Sequence, residues 1–104
     1  MDNIIEELEN ILDQRKNENP TKSYVSSLYK GGNKHICDKI IEEAKELVEA
    51  TKEGEDRVIY ETADLFFHVL VLLASHDVKY ARILEELERR FGISGIDEKN
   101  NRNK

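Results

Sequence analysis

The sequence predicts an all-α fold, a small helical bundle built around a central antiparallel helix hairpin. Its 104 residues include only one proline and five glycines, so long helices can run without interruption. Apolar residues recur three and four positions apart along most of the chain, which is the spacing of one helix face. With 38% apolar and 37% charged residues, the chain is too polar for a membrane protein and too apolar for a disordered one.

Helix breaks divide the chain into five predicted segments. The first helix carries apolar residues at helical spacing, among them Ile4 and Leu8, and it ends at or before Pro20. Two glycines close the second segment, and Asn33 is the predicted N-cap of the helix that follows. Gly54 separates two long helices. The segments are residues 3–16 (helix), 23–29 (short helical or irregular piece), 33–53 (long helix), 55–75 (long helix) and 79–91 (helix).

These segments predict a single domain over residues 1–91, followed by a flexible tail. Residues 92–104 contain two glycines and several asparagines and lysines, a composition typical of a frayed terminus. The longest apolar stretch, residues 65–74, is much shorter than the roughly 20 residues that span a bilayer. The N-terminus lacks the basic and apolar regions of a signal peptide, so we expect a cytoplasmic protein that does not bind membranes.

The charge distribution narrows the class of partner. The net charge of −6 and the pI near 5.1 argue against nucleic-acid binding, and the lone Cys37 suits the reducing cytosol. Residues 15–39 carry a net charge of +4, whereas residues 40–64 carry −6. This asymmetry fits either ordinary solvated faces or a site with one wall for cations and another for anionic groups. A chain this short also gains stability from oligomerisation.

Two pairs of carboxylates lie on either side of the turn between the long helices. Glu43 and Glu46 precede it, Glu61 and Asp64 follow it, and each pair is spaced three residues apart, on one side of a helix. Like charges at this spacing repel, so helix stability does not explain them. At about 1.5 Å per residue the pairs lie at matching heights, roughly 11 and 16 Å from the turn. An antiparallel hairpin can therefore bring four carboxylates together.

The helix over residues 55–75 is apolar almost all round, which predicts that it is buried. Glu61, Asp64 and His68 form one polar stripe on it, opposite Ile59. Buried charge is costly without a partner, and a metal ion is a suitable one. Oxygen ligands favour Mg²⁺, Mn²⁺ or Ca²⁺, and Mg²⁺ commonly joins a few carboxylates to substrate phosphates. The alternative is that the glutamates around Lys45 are solvated surface acids paired with neighbouring lysines.

These residues resemble a known family. The pattern EExxE (42–46) followed by ExxD (61–64) across a helical hairpin is similar to that of the MazG-like all-α nucleotide pyrophosphohydrolases. The flanking residues resemble the phosphoribosyl-ATP pyrophosphatases of histidine biosynthesis over residues 4–91, although Ile41, Thr62 and Phe67 depart from the common residues. The matching positions are Ser23, Tyr24, Leu28, Gly32, Lys34, Ile36, Lys39, Glu42, Glu43, Ala44, Glu46, Ala63, Asp64, Leu65 and His68.

The resemblance implies an activity and a set of partners. It implies Mg²⁺-dependent hydrolysis of phosphoribosyl-ATP to phosphoribosyl-AMP and pyrophosphate, the second step of histidine biosynthesis, by a helical homodimer. Mn²⁺ is a possible substitute for Mg²⁺. Two alternatives stay open at this point: a MazG-like enzyme for another nucleoside triphosphate, and a noncatalytic helical interaction module.

Roles are assigned to residues on this basis. We assign Glu43, Glu46, Glu61 and Asp64 as the metal ligands and as catalytic residues, with Glu42 as a further catalytic residue that binds a second ion or orients the water. His68 is interpreted as a partner that fixes Asp64, or else as a core histidine. Tyr24 stacks on the base or ribose, or else packs as a buried side chain. The candidates for binding the substrate phosphates are Arg15, Lys22, Lys34 and Lys39.

Overall fold

A computed structural model describes residues 3–92, and this part of the chain contains four helices and no strands. The predicted all-α class is therefore confirmed. The predicted tail lies almost entirely outside the described residues. The helices are α1 (Ile4–Arg15), α2 (Tyr24–Ala50), α3 (Glu55–Ser75) and α4 (Tyr80–Phe91). The two long helices, α2 and α3, form the predicted hairpin and pack closely against each other.

Helix α2 contains a backbone break at Gly32, whose φ of 86° and ψ of −179° are not helical. The segment before the break is helical and starts at Ser23, whose hydroxyl accepts a hydrogen bond from the Ser26 backbone N–H. The prediction that Asn33 caps the second part was wrong, because Gly32 is the non-helical residue. The Asn33 side chain instead lies 2.7 Å from Nε2 of His76, at the end of α3.

The hydrophobic core forms where α1, the start of α2 and the second half of α3 meet. Its largest fully buried side chains are Leu12, Leu28, Ile36 and Val71. Two side chains of α2 bind backbone carbonyls of α1: the Tyr29 hydroxyl donates to Leu12 and the Ser26 hydroxyl donates to Arg15. The first part of α2, at the open end of the hairpin, is thereby fixed to α1, and the carboxylates lie nearer the turn.

Helix α3 is less buried than its composition predicts. Ile59 is 59% exposed, and Phe66 is also exposed, so the apolar face opposite the polar stripe is open in the single chain. This face, with Leu8 of α1, lines an apolar cavity of about 430 Å³. The polar stripe faces α2 instead. By length and composition alone α3 could cross a membrane, but the core helix of a globular protein has the same properties.

Helix α4 lies on the surface of the bundle with no buried residue. Its first residue, Tyr80, donates its backbone N–H to a carboxylate oxygen of Glu9 at 2.6 Å, and its ring contacts Phe66 edge-on. Its apolar stripe of Ile83, Leu84, Leu87 and Phe91 is exposed.

We expect Gly54→Ala to destabilise the protein by about 1–3 kcal/mol, because Gly54 has φ 116° and ψ 171°, a region that is essentially restricted to glycine. An added Cβ meets no atom within 4 Å, so the cost comes from backbone strain and not from a clash. Urea denaturation measures it. Glu53→Ala, in the same exposed turn, is the control and should stay within about 0.5 kcal/mol. Equal stability of the two variants would contradict the expectation.

Candidate metal centre

Four carboxylates from the two long helices converge at the middle of the hairpin. Glu43 and Glu46 come from α2, and Glu61 and Asp64 come from α3. One oxygen of each lies within 4.8 Å of the chosen oxygens of the other three. The hairpin register places the two pairs at the same height along the helices. The side of α3 that faces α2 is the side that carries Glu61 and Asp64.

Two of these carboxylates are buried and incompletely partnered. Glu43 is 5% exposed and Glu61 is 4% exposed, and Oε2 of each has no hydrogen-bond partner. Glu46 is exposed and Asp64 is half-buried, which leaves an open side to the cluster. A buried oxygen without a partner is unfavourable and calls for a ligand that accounts for it. Four closely spaced carboxylate oxygens fit a hard divalent cation such as Mg²⁺ or Mn²⁺.

Each buried glutamate has a basic residue four positions before it on the same helix. Nη2 of Arg57 lies 2.6 Å from Oε1 of Glu61. Nζ of Lys39 lies 3.8 Å from Oε1 of Glu43 and 3.3 Å from Oε2 of Glu42. In both glutamates the basic side chain lies nearest to Oε1, and Oε2 is the oxygen without a hydrogen-bond partner.

Burial and mutual repulsion shift the pKa values of the buried acids. Burial raises the pKa of Glu43 to about 7, with further contributions from Asp64 and Glu46. Burial also raises the pKa of Glu61, as does Glu46, while the charge of Arg57 acts in the opposite direction. Both shifts favour the protonated forms of Glu43 and Glu61, with which a divalent cation at the cluster would compete.

The raised pKa of Glu43 predicts that the metal-free fold loses stability as the pH rises from about 4.5 to about 7. The folded chain retains the proton longer than the unfolded chain, so the stabilisation is complete below the unfolded pKa and is lost through the folded pKa. The contribution is about 3 kcal/mol. Urea denaturation in EDTA across this range, for wild type and Glu43→Gln, measures it as the difference between the two curves. Parallel curves would contradict the assignment.

His68 links the cluster to the start of α2. It is buried, and Nδ1 lies 2.8 Å from the backbone carbonyl oxygen of Asp64 and 3.6 Å from its carboxylate. A carbonyl only accepts, so Nδ1 carries the proton and, in the neutral ring, Nε2 accepts from the Tyr24 hydroxyl at 2.8 Å. Of its two contacts with Asp64, His68 therefore makes the closer one with the backbone carbonyl and not with the carboxylate.

Two of the predicted substrate-binding residues lie beside the cluster, and the other three make no ion pair with its four carboxylates. Tyr24, 52% exposed, binds His68, and Lys39 pairs with the glutamates of its own helix. In contrast, Arg15 pairs with Glu18, and Lys34 pairs with Asp38. Lys34 lies about two and a half helical turns before Glu43. Lys22 lies exposed in the connection between α1 and α2.

Arg57 was missed by the sequence analysis. The signal was available, since a basic residue one turn before a buried glutamate is placed to pair with it. Arg57 also lines a cavity of about 330 Å³, together with Glu61, three residues near the end of α2 and Glu53 of the turn. Glu42 was predicted as a catalytic residue, and the structure leaves it exposed and paired with Lys39.

The fold and the site together define a class, that of all-α hairpin proteins whose facing carboxylates are suited to bind a divalent cation for phosphate chemistry. The chain belongs to the phosphoribosyl-ATP pyrophosphohydrolase family, whose model matches residues 5–91. The family resemblance read from the sequence is thus confirmed.

Three relatives illustrate how completely the chain matches this family. All three are named phosphoribosyl-ATP pyrophosphatase. The protein of Vesicomyosocius okutanii is 55% identical over 104 residues, covering 99% of each chain. That of Methylococcus capsulatus is 50% identical over 95% of each chain. That of Hydrogenovibrio crunogenus is 47% identical over 97% of this chain and 94% of its own.

Proposed function

We propose that this phosphoribosyl-ATP pyrophosphohydrolase of histidine biosynthesis carries out its reaction at the carboxylate cluster, with Mg²⁺ as its cofactor. Water is added across the α–β phosphoanhydride of phosphoribosyl-ATP, which yields phosphoribosyl-AMP and pyrophosphate. The observation that carries the proposal is the pair of buried, partnerless oxygens on Glu43 and Glu61, which belong to two of the four converging carboxylates.

The proposed ligands are Glu43, Glu46, Glu61 and Asp64. When bound, Mg²⁺, or Mn²⁺ in its place, neutralises phosphate charge and makes water a better nucleophile. Because Glu46 is exposed and Asp64 is half-buried, the cluster is open on one side, where the triphosphate can approach.

Residues around the cluster take the remaining proposed roles. Glu42 orients the water, and Lys39 exchanges its glutamate partner for a substrate phosphate. The Tyr24 ring, half-exposed beside the cluster, contacts the ribose or base, and His68 holds the backbone of Asp64 in place. Arg15, Lys22 and Lys34 stay predictions of phosphate contacts.

The exposed apolar face of α3 supports a homodimer. Ile59, Ala63 and Phe66 line one continuous apolar cavity with Leu8 of α1. An apolar surface of this kind on a small domain is typical of a protein interface. We therefore propose that a second copy of the chain covers it. We also propose a cytoplasmic location, which the lone Cys37 and the histidine pathway support.

The experiment that tests the function offers the purified chain phosphoribosyl-ATP and a panel of nucleoside triphosphates, each with Mg²⁺ and with EDTA. We expect pyrophosphate release from phosphoribosyl-ATP that EDTA abolishes, and much slower release from the free triphosphates. A preference for a free triphosphate would overturn the proposed substrate. Equal release in EDTA would overturn the proposed cofactor.

A further inference from the structure

Arg57 holds one oxygen of a buried carboxylate in the cluster. Its Nη2 lies 2.6 Å from Oε1 of Glu61, a charge-assisted hydrogen bond within one turn of α3. The guanidinium is itself held, because its Cζ lies 4.9 Å from the centre of the Tyr60 ring. The other oxygen of Glu61, Oε2, is buried and has no partner.

The equivalent pair on α2 is much looser. Lys39 lies 3.8 Å from Glu43, beyond hydrogen-bond distance, and it is closer to Glu42. Lysine also provides a flexible point charge, whereas arginine provides a rigid planar fork. Of these two pairs, only that of Arg57 fixes the orientation of its glutamate.

We propose that Arg57 is a positioning residue for the divalent cation: by occupying Oε1 of Glu61 it keeps Oε2 directed at the shared centre of the cluster. A carboxylate that is already fixed through one oxygen loses less conformational entropy when the cation binds. This preorganisation favours binding. The inference rests on the proposed function of the cluster.

The charge of Arg57 gives the test a clear sign. A positive side chain near the site repels a divalent ion. If Arg57 only balanced charge, its removal would therefore make the chain bind the metal more tightly. A residue that orients Glu61 gives the opposite result, because its loss frees the carboxylate to rotate. The direction of the change in metal affinity therefore separates the two roles.

The test is a titration of the substrate-free chain with Mn²⁺, in which electron paramagnetic resonance measures the free ion. We expect Arg57→Met to weaken Mn²⁺ binding by about 10-fold or more and Arg57→Gln, which keeps an N–H donor, by less. Arg82→Met is the matched control, since it removes an arginine from an exposed pair with Glu85 and should leave the affinity unchanged. At saturating Mn²⁺ the kcat of Arg57→Met should return close to the wild-type value.

Unchanged or tighter Mn²⁺ binding by Arg57→Met would overturn the inference, as would a kcat that stays low at saturating metal. If Arg57→Met does not fold, the Mn²⁺ affinity of Arg57→Gln decides by the same criteria. The Mn²⁺ affinity of Arg57→Lys should lie between those of Arg57→Gln and the wild type. Failure of the wild-type chain to bind Mn²⁺ would overturn the proposed function of the cluster itself, and is thus distinguishable from a failure of Arg57 alone.

Discussion

Glu43→Gln is expected to lower pyrophosphate release from phosphoribosyl-ATP by about 100-fold or more and, at neutral pH without metal, to make the fold more stable. The substitution removes a proposed ligand, and a metal ion supplies several kcal/mol of transition-state stabilisation. It also replaces a buried acid, surrounded by Asp64 and Glu46, with a neutral amide of the same shape. The expected gain in stability is about 1–3 kcal/mol.

Steady-state kinetics and thermal melts with and without Mg²⁺ check both halves of this expectation. Mg²⁺ at 100 times its dissociation constant should stabilise the wild type by about 2.7 kcal/mol, and the variant should not respond. Glu85→Gln, the same change at an exposed pair on α4, is the control and should leave both properties unaltered. Wild-type turnover by Glu43→Gln would rule out the proposed ligand set.

Ile59→Glu is expected to separate the proposed homodimer into monomers. Ile59 is exposed in the single chain, so the fold of one copy tolerates the glutamate, but a dimer that covers this face would bury two unpaired charges. A cost of about 3 kcal/mol corresponds to a dissociation constant raised by about 100-fold. Sedimentation velocity over a range of concentrations measures this change.

Val48→Glu provides the control for the interface, because Val48 is an equally exposed apolar residue of α2 outside the apolar cavity. It should leave the sedimentation behaviour as in wild type. A wild-type chain that sediments as a monomer at micromolar concentration would reject the dimer proposal outright.

Local signals in the sequence were sufficient to predict the helices and to predict that the four carboxylates lie close together. The turn at Gly54 sets the hairpin register, and the three-residue spacing puts each pair on one side of its helix. The break within α2 was harder to predict, because both glycine and asparagine suit the N-terminus of its second part, and only the positive φ shows that Gly32 takes this position.

The exposure of α3 was not predicted because it depends on packing between helices. The burial of α3 was overestimated because hydropathy does not distinguish an apolar face that the same chain covers from one that the single chain leaves exposed. The pairs of Lys34 with Asp38 and of Arg15 with Glu18, in contrast, are spaced four and three residues apart, which is the spacing of ion pairs on a helix and was available in the sequence. Arg57 was not predicted, although it lies four residues before Glu61, the spacing at which a helix forms ion pairs.

The two unsatisfied oxygens on Glu43 and Glu61 have a consequence for the life of the protein in the cell. Under the proposed function, the folded chain without its cation would be the less stable form and would open more often to quality-control proteases. Magnesium scarcity would then shorten the half-life of the protein as well as slow its turnover. Supply of the ion would in this way set the steady-state amount of enzyme committed to histidine production.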